Sequence, residues 1–276
     1  MEQKRITKNS SELRKMAREQ LKGNWGAAAL LIFVFGIVSC VFMIPYVGPT
    51  IIRLIIGGAL TLGFKSCFVK VARGEKFQIE DLFSGFKNFG SSLLLQLLIG
   101  IFTFLWALIG IIPFIIIIVM IGNNTVYDYN YGASVVGKML LAYLLLIVLL
   151  IPAIIAAYRY SMAYYILNDH PEMGSYEAIV ESKKMMKGNK LRLFILQLSF
   201  IGWNLLSLVP VIMSFTWTVI AALSRQDGQI IAGIIFIIIS YILLGISHLF
   251  IRPYMETAAA NFYLELTGVE EEKNLI

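Results

Sequence analysis

The chain has 276 residues, of which 58% are hydrophobic and only 14% are charged. Soluble domains usually carry about 25% charged residues, and a soluble fold of this length could not bury so much apolar surface. The same composition excludes a disordered chain and a nucleic-acid-binding module, and its two cysteines, Cys40 and Cys67, exclude a disulfide scaffold. The sequence therefore indicates an all-α integral membrane protein.

Long uncharged runs predict where the chain crosses the bilayer. A helix needs about 20 apolar residues to cross about 30 Å of hydrocarbon, and these runs lack the alternation of a β-barrel. The second run has an alternative as a re-entrant or interfacial segment, because its uncharged core, Leu54–Phe64, is short. Six transmembrane helices are predicted, at about 25–47, 52–72, 91–121, 139–163, 193–223 and 229–252.

The basic residues predict the orientation. With six crossings, all but three of the 23 Lys and Arg residues fall on one side, the exceptions being Arg53, Lys138 and Arg225. Lys and Arg are enriched in cytoplasmic segments, so both termini are expected in the cytoplasm. The expected organisation is a cytoplasmic amphipathic segment (1–24), a six-span membrane domain (25–263) and an acidic cytoplasmic tail (264–276).

The segments that precede the first, third and fifth spans resemble one another. Lys22-Gly23-Asn24 in the first matches Lys187-Gly188-Asn189 in the third, and the middle copy, Asp81–Asn88, shares the basic residue and the Asn. The similarity predicts three repeated hairpins, each preceded by a short cytoplasmic amphipathic helix.

Apolar residues form a helical stripe in these short segments. In the middle one, the stripe follows α-helical spacing at Ile79, Leu82, Phe83, Phe86 and Phe89. Such helices could lie in the headgroup plane with the apolar side in lipid, or pack on the end of the bundle. The basic residues of the first and third segments are candidate contacts for anionic lipid headgroups: Arg14, Lys15, Arg18, Lys22, Lys183, Lys184 and Lys187.

Several stretches, spread over nearly the whole chain, carry a family resemblance. They are Leu21–Trp25, Gly63-Phe64-Lys65, Phe83-Ser84-Gly85-Phe86, Glu181–Lys190, and Arg252-Pro253-Tyr254 with Asn261-Phe262-Tyr263. In this order they resemble domain of unknown function 975, a family of uncharacterised bacterial integral membrane proteins. The resemblance implies a multi-pass protein of a bacterial cytoplasmic membrane and supplies no catalytic or binding residue.

Polar residues inside the predicted spans are the remaining candidates for a site. Gln197, Asn204 and Ser207 share one face of the fifth span, and Gln96 lies at a matching depth in the third. They could hydrogen-bond between helices or line a path for a solute. No nucleophile motif, cofactor fingerprint or metal-ligand spacing is found, so no catalysis and no cofactor are expected.

These features favour a non-enzymatic membrane protein that organises lipid or a partner protein. The expected partners are the bilayer, anionic headgroups, and a membrane protein or a second copy of the chain, but no nucleic acid. The alternative is an uncoupled transporter or exporter of a small or amphiphilic solute, which would use the polar face around Gln96, Gln197 and Asn204.

Overall fold

The computed structural model describes residues 7–41, 49–125, 131–224 and 227–268. Helices make up 88% of the structure, and the described ranges contain no strand. One element, Ile79–Asn88, is a 3-10 helix. The α-helices are α1 Ser10–Leu21, α2 Trp25–Val41, α3 Pro49–Ala72, α4 Phe89–Thr125, α5 Tyr131–Leu149, α6 Ile151–Tyr160, α7 Ala163–Asp169, α8 Ser175–Met185, α9 Lys190–Leu198, α10 Ile201–Leu223 and α11 Asp227–Thr267.

The described helices are those of a multi-pass membrane protein. Five segments are long and apolar enough to cross a bilayer: Leu54–Ala72, Ile79–Gly122, Val136–Asp169, Lys190–Leu223 and Gly228–Thr267. The count rises to six if α1 and the described part of α2, which meet at an angle of 97°, form one span. The all-helical membrane fold is thus confirmed. The end of the first predicted span, residues 42–47, lies outside the described residues.

Two of the predicted spans are interrupted. The span predicted at 139–163 breaks at Leu150, just before Pro152, and again after Tyr160. Proline has no N–H for the helical ladder and is tolerated mainly in the first turn of a helix. The span predicted at 193–223 breaks between α9 and α10, where the Ser199 hydroxyl donates to the carbonyl of Leu196 at 2.6 Å. Such local bonds compete with helix continuation.

The last helix is much longer than predicted. α11 has 41 residues and continues through Pro253 to Thr267, well beyond the predicted end of the span at 252. At 1.5 Å per residue it is about 60 Å long, roughly twice the hydrocarbon thickness. The expected boundary between membrane domain and acidic tail, at 263/264, therefore falls inside a helix. The rest of that tail, 269–276, lies outside the described residues.

The protein core lies at one end of the bundle. This end is formed by α1, the C-terminal part of α3, the 3-10 helix, α7, α8 and the C-terminal half of α11, and we call it the basic end. Protein buries 61% of the most apolar stretch of α3, against 6–17% in the other four spanning segments. Elsewhere large apolar side chains face outward along α4, α5, α10 and the first half of α11, as expected for helices in lipid.

The 3-10 helix departs from the predicted amphipathic α-helix. It crosses α3 so closely that a Cβ atom on Gly63 would overlap the carbonyl oxygen of Leu82, and one on Gly85 would overlap that of Ala59. With three residues per turn, Leu82 and Gly85 share the buried face, rather than the stripe that the sequence suggested.

The same period places Phe83, Phe86 and Phe89 in a row on another face of this helix. Phe83 is 45% and Phe86 37% exposed, so the predicted stripe is only partly buried. Adjacent ring centroids in the row lie 6.3 and 6.2 Å apart.

Two of the three predicted repeat copies share a turn. Gly23 and Gly188 both have positive φ, 88° and 83°, which favours glycine. The next residue hydrogen-bonds back in the same way in each copy, from Asn24 N to Leu21 O and from Asn189 N to Met186 O. The middle copy passes from the 3-10 helix into α4 without such a turn, since Phe89 is helical with φ −55°.

Candidate functional site

The basic face of α1 is displayed on a fixed helix. Leu13, Ala17 and Leu21 are buried against the bundle, mainly on α11 and α3, whereas Lys15, Arg18 and Lys22 are exposed. Of the two arrangements considered for this segment, the structure therefore shows packing on the end of the bundle. The apolar side is covered by protein and the basic side points outward.

Polar contacts hold α1 at both ends to the C-terminal part of α11. The side-chain amides of Gln20 and Asn261 bond reciprocally, at 3.0 and 2.8 Å, and Gln20 Nε2 also donates to the carbonyl of Ala72 at 2.8 Å. At the other end, the backbone N–H groups of Thr7 and Lys8 donate to Glu265 Oε1 at 2.6 and 2.8 Å. Amide pairs and charge-assisted bonds of this kind orient a helix as well as stabilise it.

The other predicted lipid contacts are in mixed environments. Lys184 and Lys187 are exposed, and Lys184 Nζ lies 3.1 Å from Glu181. Lys183 and Arg14 are half-buried and already have partners within the protein. The Lys183 ammonium lies over the rings of Phe102 and Tyr160, and Arg14 donates to the carbonyl of Ser199 at 3.3 Å. Five of the seven candidates are thus presented to the surroundings.

Ion pairs that the sequence did not reveal connect the helices of the basic end. Lys65 Nζ lies 2.5 Å from Glu256 Oε2, joining α3 to α11. Arg73 lies 2.6 Å from Asp169, whose carboxylate also accepts a bond from the hydroxyl of Tyr263 at 3.0 Å, so α3, α7 and α11 meet there. The separation of 191 residues between Lys65 and Glu256 leaves no local pattern that could have predicted the pair.

The predicted polar face is divided among different partners. Gln197 is exposed and accepts a bond from the Tyr158 hydroxyl at 2.6 Å. Asn204 donates to the carbonyl of Phe200 at 3.0 Å and contacts the sulfur of Met255 at 3.8 Å, while the Ser207 hydroxyl donates to the carbonyl of Asn204. These contacts lie within the α6–α9–α10–α11 region.

Gln96 is directed elsewhere. It packs against Gly57 and Gly58 of α3, where a Cβ atom on either glycine would lie within about 3.0 Å of the Gln96 amide. Gln96 therefore faces α3, whereas Gln197 and Asn204 contact α6 and α11.

The polar loop after α7 does not gather metal ligands. His170 Nδ1 lies 3.3 Å from Glu172, but the neighbouring Asp169 is bound to Arg73 and Tyr263. Within the part of the chain that the structure describes, no three His, Cys, Asp or Glu side chains come together.

The family model described as "Protein of unknown function (DUF975)" matches residues 1–270 of the chain. No curated protein and no solved structure shows significant similarity to it.

Proposed function

Given that the chain belongs to the DUF975 family, we propose that it is a non-enzymatic protein of the bacterial cytoplasmic membrane that gathers anionic phospholipid at its basic end. The observation that carries the proposal is the display of α1, with the apolar side fixed to the bundle and Lys15, Arg18 and Lys22 exposed. A basic residue near an anionic membrane surface contributes about 1 kcal/mol. Three of them on one fixed helix would favour anionic over neutral headgroups by up to about 3 kcal/mol.

The proposed topology has the basic end and both termini in the cytoplasm and the six crossings arranged as three related hairpins. The distribution of Lys and Arg along the chain supports this orientation. The shared turns at Gly23 and Gly188 support a relationship between the first and third copies. In the first copy, α2 packs along α11 more than along α3. The two helices of the first hairpin, α2 and α3, would therefore have little contact with each other.

The absence of catalysis is part of the proposal. At the basic end, Lys65 pairs with Glu256, Lys70 with Asp81 and Arg73 with Asp169, while the buried Glu265 accepts bonds from the backbone N–H groups just before α1. Such pairing satisfies charge within the fold rather than directing it towards a substrate.

The transporter alternative makes a different prediction for the polar face. If Gln96, Gln197 and Asn204 lined a solute path, changing them to leucine would abolish flux and leave folding intact. If they serve packing, as the bond between Gln197 and Tyr158 suggests, the same changes would lower thermal stability. Measuring both quantities on the triple variant in proteoliposomes separates the two functions.

The lipid proposal is tested by thermal unfolding of the detergent-purified full chain. Phosphatidylglycerol should raise the melting temperature more than phosphatidylcholine with the same acyl chains, since a ligand at 100 times its Kd stabilises by about 2.7 kcal/mol. Changing Lys15, Arg18 and Lys22 to glutamine should reduce that preference. Lys138→Gln, at an exposed basic residue of α5, is the control and should leave it unchanged. Full preference in the triple variant would refute the proposal.

A further inference from the structure

A groove runs between α2 and α11 on the outer surface of the bundle. Its volume is about 760 Å³, within the range of about 300–1,000 Å³ that is usual for ligand sites. Ile32, Phe33 and Ile37 of α2 and Ile242, Ile246 and Leu249 of α11 supply apolar walls.

Two glycines give the groove its width. Gly36 of α2 and Gly245 of α11 both line it, and a Cβ atom on either would meet no other atom within 4 Å. A side chain at either position would therefore begin in open space within the groove.

One end of the groove is positively charged. Arg252 is its last lining residue on α11, with His248 one helical turn before it. The Arg252 guanidinium is held 5.2 Å from the ring of Phe35 and 5.3 Å from that of Phe64. Within the described residues no carboxylate forms an ion pair with Arg252, because Glu256, one turn further along α11, is bound to Lys65.

The length of the groove matches one leaflet. From Ile242 to Arg252 the helix rises about 15 Å, which is half of the roughly 30 Å hydrocarbon core. The apolar wall therefore matches the depth of one acyl chain, which would put the Arg252 guanidinium at the level of the headgroups. A soluble anion would leave the apolar wall unused, and a lipid without a phosphate would not pair with Arg252. A zwitterionic phospholipid such as phosphatidylcholine offers a phosphate too, but its choline would bring a second cation close to Arg252.

We propose that this groove binds one anionic glycerophospholipid of the leaflet on the basic side, with its phosphate at Arg252 and an acyl chain between α2 and α11. His248 adds a second hydrogen-bonding group near the phosphate. This site is separate from the exposed face of α1, so it goes beyond the function proposed above. Arg is well suited to this role, because its planar guanidinium binds phosphate through two parallel bonds while it stacks on aromatic rings.

Native mass spectrometry of the detergent-purified full chain tests the site, with dioleoyl phosphatidylglycerol and dioleoyl phosphatidylcholine as probes. Arg252→Gln should weaken retention of phosphatidylglycerol about tenfold, as expected for a lost charged hydrogen bond. Gly36→Leu and Gly245→Leu should weaken retention of both lipids, because they fill the groove. Gly202→Leu is the matched control, since a Cβ atom at this exposed glycine of α10 also meets nothing within 4 Å.

The proposal is overturned if the two groove-filling variants retain phosphatidylglycerol as well as Gly202→Leu does, or if Arg252→Gln weakens both lipids equally. Should Arg252→Gln fail to fold, because its contacts with Phe35 and Phe64 are lost, the glycine variants decide the question, as they leave those contacts intact. A variant lacking Lys15, Arg18 and Lys22 separates the two proposals. If it alone loses the preference for phosphatidylglycerol, the groove proposal fails and the α1 proposal stands, and the reverse result has the opposite meaning.

Discussion

Lys65→Met removes one partner of the ion pair between α3 and α11. The two side chains are only 21% and 18% exposed, so the Glu256 carboxylate would be left unpaired in a largely protein-filled site. Breaking a fully buried pair costs about 3–5 kcal/mol, and with about a fifth of each side chain in contact with the surroundings we expect about 2–4 kcal/mol. The variant also removes the contact of the ammonium with the ring of Tyr165, at 5.2 Å from its centroid.

A double-mutant cycle measures the pair directly. Glu256→Leu alone should lower the free energy of unfolding by a similar amount. The double variant, Lys65→Met with Glu256→Leu, should have a free energy of unfolding within about 1 kcal/mol of the parent's, because apolar replacements of a buried pair are often neutral. Equilibrium unfolding in mixed micelles gives the unfolding free energies of the parent, the two single variants and the double variant. Lys184→Met is the control, since Lys184 is 66% exposed in its pair with Glu181 and its loss should cost below about 1 kcal/mol. Additive single effects, or a cost for Lys65→Met no larger than the control, would refute this reasoning.

Three further changes test the geometry of the basic end. Gly85→Ala should lower the unfolding free energy by about 1–3 kcal/mol, because its Cβ atom would overlap with α3. Gly90→Ala is the control and should leave it unchanged, since a Cβ atom there meets nothing within 4 Å. Equal melting temperatures of the two variants would contradict the close crossing. Gly188→Ala should cost about 1–2 kcal/mol at its positive φ and Gly188→Asn less, and the reverse order of melting temperatures would exclude a conformational cause. Gln20→Leu should loosen α1 and accelerate cleavage there by a lysine-specific protease, and an unchanged cleavage rate would show that the amide pair does not hold the helix.

The membrane spans could be predicted because lipid imposes a simple requirement. A crossing helix must form its backbone hydrogen bonds internally and expose apolar side chains to lipid. Each span is therefore a continuous apolar run that can be found in the sequence. The interruptions within the spans were harder to predict from the sequence. Pro113 and Pro210 remain inside continuous helices, while Pro152 stands at a helix start. A proline in a span therefore does not by itself predict an interruption.

The 3-10 helix shows where periodicity is insufficient. Phe83 and Phe86 fit an α-helical stripe as well as a three-residue period, and so do Leu82 and Gly85. The 3-10 helix is favoured over an α-helix by the close crossing, in which Gly63 and Gly85 lie against opposing carbonyls. The sequence alone does not predict which glycines are in contact.

The candidate site was predicted only in part, for a similar reason. The exposed basic residues of α1 follow from its own amphipathic pattern. The Arg252 groove required knowledge that α2 packs along α11, which are separated by most of the chain. Gln96 was grouped with Gln197 on depth alone, and depth does not specify which helix a side chain faces.

The contact between the two ends of the described chain restricts its topology by parity. Thr7 and Lys8 bond to Glu265, so the first and last described residues lie on the same side of the bundle. A chain that starts and finishes on one side of a membrane crosses it an even number of times. For the described residues, this contact agrees with an even number of crossings, such as six, better than with five. If the four later segments all cross, α2 and α3 either both cross or both return to the side from which they came. Evidence that α3 alone reaches the far side, from a cysteine label for example, would then place α2 across the membrane as well.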